Sequence, residues 1–189
     1  MEITHGRQGG WQRAAPPSLS SHQKFWLFRP NALTAGLRQL GAFNLRVVRE
    51  KVHSLDPQEA WMLGRRAGSE IWLREICMSI DGIDCVFARS FTPLAASHAL
   101  WQGMRRLRTR PLADMLYHDP QILRSPFYVR RLTRQQPIYR ALHQHLGERC
   151  PAPPSVLARC SVFWRKGQPL LVAEAFLPEF WGVAGASRP

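Results

Sequence analysis

No stretch of the 189-residue sequence is apolar for long enough to cross a bilayer. Residues 1–17 are polar, carry Gly9-Gly10 and Pro16-Pro17, and contain no apolar core of the kind a secretory signal needs. A cytoplasmic protein without membrane insertion is the expectation. Cysteine is scarce: Cys77, Cys85, Cys150 and Cys160 show no CxxC spacing, and three of them lie among apolar residues in extended runs, as reduced, buried thiols do. GxGxxG, Walker A, HExxH and GxSxG motifs are all missing, so no nucleotide, metal or nucleophilic-serine apparatus declares itself. His143 and His145 stand two apart on an expected helix and point to different faces, which excludes a paired metal site there. No cofactor and no metal are expected.

Acidic residues are also few, 13 against 26 Lys+Arg, for a formal charge of +13. This admits anionic partners of several kinds: a nucleic acid, an anionic membrane touched transiently, or a small anionic substrate. The basic residues are dispersed, with short clusters only at residues 105–110 and at Arg130-Arg131, and the aromatics fall in strand patterns. That distribution disfavours a nucleic-acid partner. The apolar fraction of 45% and seven tryptophans mark a folded domain with a substantial core.

Periodicity predicts the following order. A flexible leader is expected over residues 1–19, a domain over residues 20–180 and a tail over residues 181–189. Helices are expected over residues 21–28, from Asn31 to Gly41, around residues 55–62 and over 95–107, 111–116 and 137–146. Strands are expected at Phe43 to Val47, 71–80, 83–91, 127–132, 156–164 and 169–177. Asp81-Gly82 joins one hairpin and the turn at Gly167 another. After Pro178 a frayed end is expected. Hairpins at either end with helices between them make this an α+β protein, a single domain on an antiparallel sheet, rather than a doubly wound parallel one.

Three charged residues interrupt apolar strand faces. Arg74 lies among Trp72, Ile76 and Met78, Arg89 among Phe87 and Phe91, and Glu174 among Leu170, Val172 and Phe176. A buried charge requires a partner. Two readings stay open: Arg74 or Arg89 pairs with Glu174 in a buried ion pair, or these groups line an enclosed pocket that receives an anion, since an arginine fork matches a carboxylate.

The run Ile71-Trp72-Leu73-Arg74-Glu75-Ile76, followed by Asp81-Gly82, Ala88-Arg89, Thr92-Pro93 and Arg110-Pro111-Leu112, resembles the chorismate lyase family. So does the terminal Gly167-Gln168-Pro169-Leu170-Leu171-Val172-Ala173-Glu174-Ala175-Phe176-Leu177-Pro178. The resemblance covers about residues 22–178. It implies a cofactor-free, monomeric enzyme whose helical flaps cover an internal ligand pocket, and which eliminates pyruvate from chorismate to leave 4-hydroxybenzoate, the first step of ubiquinone head-group synthesis. By resemblance, Arg74 anchors the carboxylate, Glu174 faces the ring hydroxyl, Leu112 supplies a backbone contact, Leu33 and Thr34 belong to a flap, and Arg89 attends the pyruvyl side. The alternative is a non-catalytic small-anion effector-binding domain of the kind found in transcription regulators.

Overall fold

The computed structural model describes residues 10–117 and 119–186. Its frame is an antiparallel sheet of seven strands: β1 (Phe43–Ser54), β2 (Glu70–Ile80), β3 (Ile83–Pro93), β4 (Leu123–Arg124), β5 (Tyr128–Arg131), β6 (Leu157–Arg165) and β7 (Gln168–Phe176). Their spatial order is β1-β2-β3-β7-β6-β4, with β5 also paired to β6. Both expected hairpins are present. Asp81 and Gly82 have φ of 50° and 81°, and Lys166 and Gly167 have 46° and 76°, the paired left-handed turn whose twist matches that of the strands it joins.

Among the described residues seven α-helices accompany the sheet: α1 (Ser21–Phe28), α2 (Leu33–Leu37), α3 (Pro57–Leu63), α4 (Leu94–Ser97), α5 (Ala113–Leu116), α6 (Pro137–Leu146) and α7 (Pro178–Ala186). One sheet face carries Leu73, Phe87, Cys160 and Ala173 and packs against α3 and α6. The other carries Ile76, Met78, Ala88 and Phe176 and packs against α1, α2 and α7. Local signals explain the helix starts. Ser20 and Gln23 form a reciprocal capping box at α1, and Asp56 accepts the Gln58 N–H ahead of Pro57 in α3. The α2 helix lies so close to α1 that a Cβ at Gly36 would stand 2.8 Å from Arg29 Nε. Asn31 does not cap α2; Ala32 holds that position without a side-chain bond.

Three sequence expectations are corrected. The helix predicted over residues 95–107 is instead the short α4 followed by a 3-10 turn, Gln102–Arg106. Trp101 is wholly buried, and its indole donates to the Gln168 carbonyl at 3.1 Å, which bends the chain off a helical path. The frayed end after Pro178 is α7. Phe180 is fully buried, with its ring 5.1 Å from those of Trp26 and Phe176, and this burial outweighs the weak helix preference of Gly182 and Gly185. The leader is docked from residue 10 onward: Gln12 exchanges both backbone bonds with Val129, at 2.9 and 2.8 Å, and Leu19 is buried. The rest of the predicted leader, residues 1–9, and of the predicted tail, residues 187–189, lies outside the described residues. Among the described residues no helix is long and apolar enough to cross a membrane, and all four cysteines are free thiols.

Truncating Phe180 to alanine removes the ring that ties α7 to α1 and β7. The expected loss of stability is about 3–5 kcal/mol, read as a lower urea midpoint; an unchanged midpoint would show α7 to be dispensable.

Candidate active site

Strand register places the charged residues. Arg74 on β2 faces Ser90 on β3, which faces Val172 on β7, which faces Ser161 on β6. The adjacent row on the same side runs Ile76, Ala88, Glu174 and Arg159. Directly opposed residues share a face, so both rows look toward α1 and α2. A pocket of about 530 Å³, counting the space open to solvent at its mouth, lies over these rows. Ile76, Met78, Ala88, Val172 and Glu174 form its floor, Leu33 and Thr34 of α2 one wall, and Pro111, Leu112 and Leu116 another. Phe127, Phe163 and Tyr117 supply aromatic surface. An apolar lining with a few polar groups suits a small aromatic or cyclic ligand.

Glu174 reaches the pocket with its side chain 14% exposed. Its Oε2 accepts from Arg159 Nε at 2.5 Å, and its Oε1 has no partner among the described residues. Arg159 is almost wholly buried and donates from Nη1 to the carbonyls of Trp26, at 3.1 Å, and Arg29, at 3.3 Å. These carbonyls belong to the C-terminal end of α1, where a cation is favoured. The Arg159–Glu174 pair thus joins the sheet to the helix above it. The ion-pair reading named Arg74 or Arg89 as the partner of Glu174; the structure assigns Arg159 instead. The same alternation test would have flagged it, because Leu157, Arg159, Ser161 and Phe163 form one face of β6.

Arg74 stands at the pocket's end without contributing to its lining. It is 2% exposed, and its Nη2 donates to the carbonyls of Arg108, at 2.6 Å, and Arg110, at 3.2 Å. Nε lies 3.4 Å from Glu50 Oε1, and Nη1 is buried with no acceptor among the described residues. Burial pushes its pKa down against the pull of Glu50. The two carbonyls it holds belong to the strap leading to Leu112, where Arg108 adopts a φ of 52°, a left-handed conformation costly for a residue with a Cβ. The Leu112 N–H has no acceptor among the described residues.

Arg89, expected on the pyruvyl side of the ligand, is on the opposite face of the sheet. Its Nε and Nη2 donate to the two Glu59 oxygens at 3.0 and 3.2 Å, and its Nη1 to Glu75 Oε1 at 2.5 Å. Burial works against the charge of Arg89, yet Glu59 and Glu75 hold its pKa above the ordinary value. Burial pushes the Glu59 carboxyl up against the pull of Arg89. The cause of the misplacement is strand parity: Arg89 falls between the pocket residues Ala88 and Ser90 and therefore points the other way. The structure brings Glu174, Leu112, Leu33 and Thr34 around one cavity, sets Arg74 at its end, and excludes Arg89. Among the described residues one group has metal-ligand proximity, Cys77, Asp84 and His145, within 4.8 Å of one another. It lies across the sheet from the pocket, its Asp84 is engaged by Arg46, and burial pushes the Cys77 thiol up to about 12.

The sequence model described as chorismate lyase matches residues 7–186. The chain belongs to the chorismate lyase family. It is 58% identical over 174 residues to a protein of Bordetella avium named "probable chorismate pyruvate-lyase", covering 91% of this chain and 85% of that one. It is 39% identical over 175 residues to a protein of Pseudomonas entomophila named "probable chorismate pyruvate-lyase 1", covering 92% and 91% respectively. Among solved structures, the effector domain of PhnF from Mycobacterium smegmatis superposes with a TM-score of 0.52 at 11% identity, over 79% of this chain and 90% of that one. This last likeness concerns the fold, and it matches the α+β architecture expected from the sequence.

Replacing Arg89 with methionine leaves Glu59 buried without its cation and Glu75 with only Arg49, at 3.7 Å. The expected cost is about 3–5 kcal/mol of unfolding free energy, with ligand affinity of the folded protein unchanged. A selective loss of ligand affinity in this variant would return Arg89 to the site.

Proposed function

We propose that this chorismate lyase family member eliminates pyruvate from chorismate, leaving 4-hydroxybenzoate, with Glu174 and Arg74 at opposite ends of the pocket. The observation that carries the reading is Glu174 lining an apolar pocket with one oxygen unpaired, and the buried Arg74, with an unpaired nitrogen, in the neighbouring row of the same sheet face. Glu174 Oε1 and Arg74 Nη1 both lack a protein partner among the described residues, and two strand spacings combined with a two-residue offset put their Cα atoms about 12 Å apart. A six-membered ring carrying a carboxylate and a hydroxyl para to each other fits between them. Family membership and the match over residues 7–186 support the same reaction. The effector-domain alternative has only a shared fold in its favour.

The reaction removes the hydrogen at C4 and breaks the bond between C3 and the enolpyruvyl oxygen, so that the ring becomes aromatic. The hydrogen ends on the departing three-carbon unit or on a base, and the C3–O electron pair leaves with that unit. Gaining aromaticity drives the step without electron transfer. The protein's task is to hold the conformer in which the C–H and C–O bonds are aligned. Arg74 receives the ring carboxylate through Nη1, the Leu112 N–H adds a donor, and Glu174 Oε1 accepts from the C4 hydroxyl while Arg159 fixes its other oxygen. Leu33 and Thr34 close the wall and keep water from the ring.

Incubation of the purified protein with chorismate is expected to yield 4-hydroxybenzoate and pyruvate in equal amounts; absence of both products would overturn the assignment. As a hydroxyl-holding group, Glu174 tolerates Glu174→Gln with a modest fall in turnover. A loss of about a hundredfold or more with binding retained would assign it the proton instead. Arg74→Ala is expected to weaken chorismate and 4-hydroxybenzoate alike, by about tenfold or more; unchanged product affinity would remove Arg74 from the anchoring role.

A further inference from the structure

Chorismate carries a second carboxylate, on its enolpyruvyl group, and Arg89, the residue expected to attend it, is on the opposite face of the sheet, paired with Glu59 and Glu75. The ether bearing that group sits on C3, next to the hydroxyl-bearing C4. With the C4 hydroxyl at Glu174, the second carboxylate therefore lies near Glu174 and away from Arg74. The neighbouring cations are Arg159 and Arg124. Arg159 is committed to Glu174 and to the end of α1.

Arg124 is not committed. On β4 it pairs with Phe163 of β6, a pocket-lining residue, and opposed residues share a face. Its guanidinium lies 4.1 Å from the centre of the Phe127 ring, which also carries Arg159 at 4.3 Å. Phe127 itself lines the pocket. Arg124 Nη1 is buried without an acceptor among the described residues, and no ion pair to Arg124 exists among them. The groups that act electrostatically on it are the Tyr117 phenol, Arg159 and Glu174. Two guanidinium groups thus face one carboxylate, an excess of one positive charge beside an apolar cavity. Burial, with Arg159 adding to it, disfavours the charged form of Arg124, and an incoming anion relieves both penalties.

We propose that Arg124 forms the subsite for the enolpyruvyl carboxylate of the substrate. This rests on the proposed reaction and gives it a division of labour. Arg74 binds the carboxylate common to substrate and product, and Arg124 binds the carboxylate that departs with pyruvate. The two arginines stand on β2 and β4, four strand spacings apart, or about 20 Å between Cα atoms, a span that two inward-pointing side chains and a dicarboxylate bridge. Elimination then removes the anion from Arg124 and leaves the product held at Arg74 and Glu174.

The test compares substrate with product. In Arg124→Gln the KM for chorismate is expected to rise about tenfold or more, while inhibition by 4-hydroxybenzoate, which lacks the second carboxylate, stays unchanged. Arg124→Lys recovers part of the loss. An unchanged KM, or equal weakening of substrate and product, overturns the subsite. A second measurement needs no variant: the wild-type protein is expected to bind 3-(carboxymethoxy)benzoate at least about tenfold more tightly than 3-propoxybenzoate, a monoanion of similar size, and equal affinities overturn the subsite. If the wild type neither converts chorismate nor binds 4-hydroxybenzoate, the function falls and the subsite with it. If it does both and Arg124→Gln keeps a normal KM, only the subsite falls.

Discussion

The contact between Arg159 and Glu174 is the constraint on which the site depends. Bringing a guanidinium and a carboxylate out of water is costly, and the cost is offset only where the remaining donors and acceptors are satisfied. Arg159 meets this condition by donating to Trp26 and Arg29 at the end of α1. The helix above the sheet is thereby fixed to β6, and through the ion pair to the Glu174 carboxylate on β7. The covering elements cannot move far from the floor without leaving a buried charge unpaired, and one Glu174 oxygen is left oriented into the cavity.

Two arrays of buried charge occupy the two faces of the sheet, and donor accounting separates their roles. In the Arg89 array, Nε and both terminal nitrogens bond to the carboxylates of Glu59 and Glu75. Each of its three nitrogens is already paired, and Arg89 and Glu75 border a separate pocket on that face. On the other face, Arg74, Arg124 and Glu174 each keep an atom without a protein partner among the described residues. Such groups weaken the empty protein and become favourable when a ligand of complementary charge arrives. At a comparable degree of burial, every nitrogen of Arg89 is paired on one side of the sheet, whereas Arg74 and Arg124 keep nitrogens unpaired among the described residues on the other.

The sequence made the frame legible because its signals are local. Asp81-Gly82, Lys166-Gly167 and the alternating strands around them specify the two hairpins, and Pro137 with Gly147 bounds α6. The alternation test also singled out Arg74, Arg89 and Glu174 as charges on apolar faces. It could not assign faces, because parity along β3 has meaning only once β3 is paired with β2 and β7. The resemblance sets Arg89 on the ligand's pyruvyl side and the ion-pair reading offers Arg74 or Arg89 to Glu174, whereas strand pairing puts Arg89 on the other face and Arg159 beside Glu174. Residues 95–107, 10–19 and 178–186 were misread for another reason: their conformation follows from burying Trp101, Leu19 and Phe180 in distant parts of the fold, and no window of neighbouring residues contains that information.

The outermost strand bears on the excess of basic residues. β1 is twelve residues long and among the described residues has no strand on its outer side, an arrangement that invites pairing with the same strand of another copy. Arg46 and Arg49 keep 50% and 36% of their side chains in solvent, and Lys51 is exposed. The ladder is broken by an irregularity between Val47 and Arg49. Two copies approaching edge to edge would bring these cations together across an interrupted hydrogen-bond register. Like charge along β1 therefore works against pairing at this one edge, a physical consequence separate from attracting an anionic substrate.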